Sequence, residues 1–106
     1  LDPLPLLAAL GDGARRGIPL HDLAAAFHET VADATASLAE RLCGEAGIDT
    51  VALGGGVFQN ARLAAALRGR LEARRLAVLT PIELPANDGG LSYGQAVVAV
   101  AALHAR

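Results

Sequence analysis

The apolar positions of the chain predict three long helices. Leucine, valine and phenylalanine recur every three or four residues from Leu20 to Leu42, which is the period of one helix face. A second helical pattern runs through Leu63, Leu67 and Leu71, and the apolar segment from Leu91 to Leu103 predicts the last helix. The first of these helices is expected to bury one stripe, formed by Leu20, Leu23, Phe27, Val31, Ala34, Leu38 and Leu42.

Two short runs of β-compatible residues lie between the helices. Thr50 to Leu53 ends at three glycines, Gly54 to Gly56, and Leu76 to Thr80 ends at Pro81. Because a crossover helix joins the two runs, the strands should be parallel. The order helix-strand-helix-strand-helix predicts an α/β fold. Two strands are too few for a closed parallel sheet, so the chain resembles half of a domain.

Glycine and proline divide the chain into two unequal parts. Residues 1–17 carry prolines and glycines around Leu6 to Leu10, which predicts one or two helical turns and then a loop through Asp12 and Gly13. Residues 18–106 form the α/β half-domain, and Gly44 and Gly47 are expected to end its first helix. The whole of 1–106 is interpreted as one fragment of a larger domain.

Charge and composition exclude several classes of function. A net charge of -2 over 106 residues gives no basic face for nucleic acid. No apolar run approaches the roughly 20 residues that a bilayer span needs, so no membrane segment is expected. Cys43 is the only cysteine and is expected to be buried, and a reducing compartment follows. The start at Leu1, without a methionine or a basic leader, predicts a piece of a longer cytoplasmic protein.

The first candidate site is the glycine turn, residues Gly54 to Gly56, together with Asn60. A strand, a glycine turn and a helix start present free backbone N–H groups to an anion such as a diphosphate. In this interpretation the Asn60 amide hydrogen-bonds a ligand hydroxyl or caps the following helix. The alternative is a tight strand-to-helix turn without a ligand. No Gly-Lys-Ser/Thr sequence follows the glycines, so the turn is not a Walker motif.

The second candidate site is the loop Asn87-Asp88-Gly89-Gly90. The Asp88 carboxylate could ligate a divalent metal that bridges phosphates. The alternative is a turn in which Asp88 caps the last helix. Both candidate loops leave the C-terminal ends of adjacent parallel strands, where open α/β sheets bind ligands. The two loops are therefore expected to border one cleft.

The histidines are not expected to form a metal site, because His21, His28 and His104 have no mutual ligand spacing. His28 follows Phe27 on the first long helix. We expect its imidazole to be partly buried and hydrogen-bonded, or to contact the missing half of the domain, rather than to act in catalysis.

The two loops together resemble a known family. The sequence from Gly55 to Asn60, followed by Asn87 to Leu91 and then Gly94 and Gln95, is similar to the C-terminal end of the hydrogenase-maturation carbamoyltransferases of the HypF type. The likeness covers most of residues 20–106. It implies a partial actin-like, ribonuclease-H-like domain of the ATP-binding superfamily, related to the enzymes that make threonylcarbamoyl-adenosine in tRNA.

The resemblance implies a two-stage reaction. Carbamoyl phosphate and ATP give carbamoyl adenylate, and the carbamoyl group passes to the C-terminal cysteine of a partner, HypE, in [NiFe]-hydrogenase maturation. Asp88 would ligate the active-site metal ion. The remaining implied residues would face the nucleotide or shape the loop around its phosphates: Gly54, Gly55, Gly56, Asn60, Asn87, Gly89 and Gly90.

The chain also departs from the family. No His-x-x-x-His pair occurs, and the other regions of the full-length family are absent, so this chain alone is expected to be inactive. Two alternative functions are a kinase with the same actin-like fold and a noncatalytic assembly module. The exposed strand edge and apolar helix faces of a half-domain also predict self-association, as a symmetric dimer.

Overall fold

Two parallel strands and two helices on one of their faces form the body of the fold. The structure, a computed structural model, describes residues 1–105. The predicted order of helices and strands is confirmed, and the helical turns expected near the start form a full helix. The elements are α1 (Leu4–Arg15), α2 (Leu20–Ala46), β1 (Thr50–Ala52), α3 (Ala61–Ala73), β2 (Ala77–Leu79) and α4 (Leu91–His104).

The strands β1 and β2 are parallel, as predicted, and Val51 lies opposite Val78 in the register. Both valines are half-buried and pack against the core formed with α2 and α3. The alternate residues point away from these helices, and Leu79 is 60% exposed. Parallel sheets are normally covered on both faces. This open face agrees with the prediction of a partial α/β domain.

The core lies between α2 and α3, and small residues allow the two helices to approach closely. Ala32 and Ala36 of α2 are fully buried, as is Leu71 of α3, while Leu67 is 2% exposed. The predicted stripe on α2 is therefore wrong about which residues are most deeply buried. It omits Ala32 and Ala36 and includes Leu20, which is 81% exposed. A line of alanines packs more closely on the leucines of α3 than a line of leucines could.

Charged side chains join α2 and α3 along the edge of this core. The Arg70 guanidinium lies 2.6 Å from a Glu29 carboxylate oxygen and 3.7 Å from Asp33. Arg74 reaches Glu40 at 3.0 Å. Because several charges share these contacts, the network holds α3 in place against α2 more strongly than isolated surface ion pairs would.

The first helix is longer than predicted. It continues through Asp12 and Gly13 to Arg15, where the sequence predicted a loop. Gly13 is buried, and a Cβ at this position would lie 2.8 Å from a methyl carbon of Leu23. A side chain at this position would require the Leu23 side chain to move, so glycine favours the close approach of α2 to α1. A second correction concerns α2, which continues through Gly44 and ends only at Gly47, in a left-handed conformation.

The last helix, α4, projects from the body. The dimensions are 63 × 31 × 22 Å, and the radius of gyration is 17.6 Å, whereas a compact chain of this length has about 13 Å. No helix within residues 1–105 is long and apolar enough to cross a bilayer. Large apolar side chains nevertheless cover α4, with exposures from 49% to 71%. These residues, the α4 surface, are Leu91, Tyr93, Val97, Val98, Val100 and Leu103.

Candidate functional site

The loops that follow β1 and β2 lie side by side. The backbone N–H of Gly55, in the glycine turn, donates a hydrogen bond to the carbonyl oxygen of Ala86. Immediately beyond this bond, Gly56 lines a shallow cavity, widely open to solvent and of about 510 Å³, together with Asn87, Asp88 and Gly89. The structure thus brings the two candidate loops to a common cavity at the carboxyl ends of the strands, the edge at which the sequence placed a cleft.

The glycine turn has a conformation that requires glycine. Gly55 has φ 104° and ψ 159°, a region that only glycine adopts readily. A single turn of 3₁₀ helix, Gly56–Gln59, follows and leads into α3. The N–H groups of Gly54 and Gly56 have no hydrogen-bond partner within residues 1–105. Gly56 lines the cavity, and an unpartnered amide at that position is suited to binding an anion.

Asn60 caps α3, which is one of the two roles predicted from the sequence. Its side-chain oxygen accepts a hydrogen bond from the backbone N–H of Leu63 at 3.1 Å. Its side-chain nitrogen lies 2.8 Å from Nε2 of His28. Both ends of the amide therefore have a protein partner, and a direct contact of Asn60 with a nucleotide stays a prediction.

His28 is half-buried and hydrogen-bonded through both ring nitrogens, in agreement with the first sequence expectation. Nδ1 lies 2.7 Å from the carbonyl oxygen of Ala24, one helical turn earlier in α2. The Phe27 ring meets the imidazole edge-to-face, with the ring centroids 5.9 Å apart. The sequence did not reveal the partner of His28, because Asn60 is distant along the chain and belongs to another element.

The Asp88 loop is shaped by Asn87 and Pro85. The Asn87 side chain accepts a hydrogen bond from the N–H of Gly89 at 2.9 Å and so caps the short 3₁₀ turn Asp88–Gly90. The helix α4, which begins at Leu91, has no side-chain cap. The alternative in which Asp88 caps the last helix is therefore wrong. A Cβ at Gly89 would lie 3.2 Å from Cγ of Pro85, and one at Gly90 would lie 3.1 Å from the Pro85 carbonyl oxygen. Both glycines allow the loop to fold tightly.

The Asp88 carboxylate is exposed and makes no hydrogen bond or ion pair within residues 1–105. The same described residues contain no group of three or more histidine, cysteine, aspartate or glutamate side chains that could hold a metal. A single carboxylate suits Mg²⁺ only where nucleotide phosphates and water complete the coordination. The donor set of this chain therefore fits one ligand of a shared site.

Glu29, the residue after His28 on α2, is held by ion pairs with α3. A hydrogen bond from Arg70 holds the pKa of the Glu29 carboxyl below its usual value, and the nearby charges of Arg70 and Arg62 act in the same direction. Partial desolvation opposes the shift. Glu29 is therefore a negative charge that fixes α3 against α2, close to the residue that contacts Asn60.

The open sheet, the glycine turn and the facing aspartate loop define a partial actin-like domain. The sequence profile described as "Carbamoyltransferase, Kae1-like Domain, second subdomain" matches residues 1–95. The chain belongs to this carbamoyltransferase family.

Characterised proteins agree with this assignment. Carbamoyltransferase HypF of Rhodobacter capsulatus is 44% identical over 103 residues, which are 97% of this chain and 13% of the relative. A tRNA N6-adenosine threonylcarbamoyltransferase of Nostoc is 42% identical over 60% of this chain and 18% of its own length. A crystal structure of full-length HypF in the phosphate- and nucleotide-bound form superimposes with a TM-score of 0.88 and 38% identity, covering 92% of this chain and 13% of that one. The chain therefore spans a small part of the length of these proteins.

Proposed function

We propose that this chain is one wall of the nucleotide site of an ATP-dependent carbamoyltransferase. The observation that carries the proposal is the shared cavity of the glycine turn and the Asp88 loop, joined by the bond from Gly55 to Ala86. The similar HypF structure is of a phosphate- and nucleotide-bound form, which supports a nucleotide site in the longer protein. The chain is the C-terminal portion of a longer cytoplasmic enzyme, and alone it is inactive.

The reaction of the whole enzyme is the transfer of a carbamoyl group from carbamoyl phosphate, through carbamoyl adenylate, to the C-terminal cysteine of a HypE-type acceptor protein. The free amides of Gly54 and Gly56 bind phosphate oxygens, because backbone N–H groups stabilise anions at a helix start. Asn87, Gly89 and Gly90 keep the second loop close to those phosphates.

Asp88 has a separate role as a metal ligand. A divalent cation held by Asp88 and the phosphates would offset the negative charge of the nucleotide. Asp88 is suited to this role because no protein group within residues 1–105 competes for its oxygens. The remaining ligands of the metal come from outside this chain.

ATP binding tests the proposal directly. We expect the 106-residue chain to bind ATP weakly in titration calorimetry with Mg²⁺, and we expect Asp88→Ala to abolish the binding. Glu83→Ala is the matched control, since Glu83 lies in the same loop, is exposed and has no ion-pair partner among the described residues. Absence of binding at millimolar ATP, or equal binding by Asp88→Ala, would contradict the assignment and favour a noncatalytic assembly module.

The α4 surface belongs to the same proposal. In the longer enzyme the apolar residues of α4 pack against the rest of the domain, because an uncovered patch of this kind marks an interaction site. In the isolated chain the same residues promote self-association.

A further inference from the structure

We propose that His28 is a positioning residue that sets the orientation of Asn60 and, through Asn60, of the glycine turn. The inference rests on the proposed nucleotide role of that turn. The imidazole connects the middle of α2 to the first turn of α3, through bonds of 2.7 Å to Ala24 and 2.8 Å to Asn60.

The hydrogen-bond pattern allows only one arrangement of protons for the neutral ring. The Ala24 carbonyl oxygen only accepts, so Nδ1 of His28 must carry the hydrogen and Nε2 must be the acceptor. Asn60 must then direct its NH₂ group at Nε2. That orientation leaves the Asn60 oxygen facing the N–H of Leu63, where it caps α3. The ring and the cap therefore determine each other.

The position of Asn60 also affects the conformation of the glycine turn. The backbone N–H of Asn60 donates to the Val57 carbonyl oxygen at 3.1 Å, closing the 3₁₀ turn that begins at Gly56. Gly56 lines two cavities, one with Asp88 and a second, of about 310 Å³, with His28 and Asn60. Anchoring Asn60 to α2 thus fixes the turn whose free amides face the proposed phosphates.

The role is positioning rather than catalysis. Both ring nitrogens of His28 are engaged with protein groups, so the neutral imidazole has no free nitrogen with which to exchange a proton with substrate. The edge of Phe27 further restrains the ring. Loss of the imidazole would let the Asn60 amide rotate and the turn shift, which weakens nucleotide binding without removing a reacting group.

Steady-state kinetics of the full-length carbamoyltransferase tests the inference. We expect His28→Leu to raise KM for ATP roughly tenfold, the lower end of the effect of residues that orient ligand-contacting groups, with little change in kcat. His28→Gln should restore most of the affinity, because the glutamine oxygen can accept from Asn60. A purely structural role would lower the thermal midpoint of both variants and leave KM unchanged, and that result would overturn the inference.

A double-mutant cycle tests whether His28 affects KM through Asn60. Asn60→Ser keeps a capping oxygen but removes the donor to His28. If His28 acts through Asn60, combining His28→Leu with Asn60→Ser should raise KM no more than the larger single change, whereas additive effects would contradict the route.

Hydrogen exchange gives a readout that does not need nucleotide. Exchange at the first turn of α3 should be faster in His28→Leu and normal in His28→Gln. If wild-type enzyme bound no ATP, the proposed function would fail, and exchange alone would decide the role of His28. Unchanged exchange in His28→Leu would overturn the positioning role even if ATP binding were intact.

Discussion

The N–H of Gly55 donates to the carbonyl oxygen of Ala86, and this bond joins the two loops that carry every candidate site residue. It directs the residues that follow, Gly56 on one loop and Asn87 on the other, towards the same cavity. Both groups in this bond belong to the backbone. Sequence changes in the glycine turn should therefore affect the site mainly through backbone conformation.

The first prediction concerns the conformation of Gly55. Because φ is 104°, Gly55→Ala should lower the free energy of unfolding by about 1–3 kcal/mol, measured by urea denaturation. Gly54→Ala is the matched control. Gly54 does not have positive φ, and a Cβ there meets no atom within 4 Å, so the change should stay below about 0.5 kcal/mol. Equal effects of the two substitutions would refute the conformational argument.

The second prediction concerns the core between α2 and α3. Leu71 is fully buried, so Leu71→Ala should lower the free energy of unfolding by about 2–5 kcal/mol. Leu20→Ala, at a position 81% exposed, should change it by less than about 0.5 kcal/mol. Thermal or urea denaturation followed by circular dichroism measures both. A larger effect at Leu20 would restore the leucine stripe as the buried face of α2.

The particular case of α2 shows how far the sequence determines the fold. Helix and strand order followed from periodicity, and the cap at Asn60 followed from an asparagine just before a helical pattern. The buried face did not follow, because hydrophobicity favours Leu20 or Leu42 over Ala32 and Ala36. The choice depends on how closely α3 approaches, which is a property of the packed pair.

The candidate site was likewise only partly predictable from the sequence. Both glycine-containing loops were identifiable, since strand ends and turn residues are local signals. The contact of His28 with Asn60 was not, because a pair separated by 32 positions leaves no local pattern. The absence of an Asp88 cap on α4 was equally hidden, because Asn87 and Asp88 can each accept from an N–H group two residues ahead, and in the structure Asn87 does so, in the 3₁₀ turn before α4.

The third prediction is a pH dependence that arises from Glu29. Its pKa is lowered in the folded state, mainly by the hydrogen bond from Arg70. The stabilisation is therefore complete above the unfolded-state pKa of about 4.3 and is lost as the pH falls through the lower folded-state pKa. Glu29→Gln should be less stable than wild type at pH 7 and should lose less stability between about pH 5 and pH 3.

Denaturation midpoints measured across this pH range check the Glu29 prediction. Glu83→Gln is the control, because Glu83 makes no ion pair among the described residues, and it should follow the wild-type curve. A Glu29→Gln curve parallel to that of wild type would show that Arg70 does not stabilise the carboxylate.

The fourth prediction concerns the α4 surface. Val98 is 64% exposed and Leu103 is 71% exposed on a helix without a charged side chain from Leu91 to Leu103. Burial of such side chains is favourable by roughly 1.5–3 kcal/mol each, so the isolated chain should associate at micromolar concentration, most simply as a symmetric dimer. Sedimentation velocity across a concentration series measures the assembly.

A charged substitution on α4 tests whether the α4 surface, rather than other exposed apolar residues, makes the contact between chains. Val98→Glu should shift the chain towards monomer, because association would bury an unpaired carboxylate. Leu20→Glu, which places the same charge on α2 at a position 81% exposed, should leave the assembly unchanged. A monomeric wild-type chain at micromolar concentration would refute self-association. Equal dissociation by both variants would show that the contact is not specific to α4. An unchanged assembly in Val98→Glu would place the contact on apolar residues outside α4.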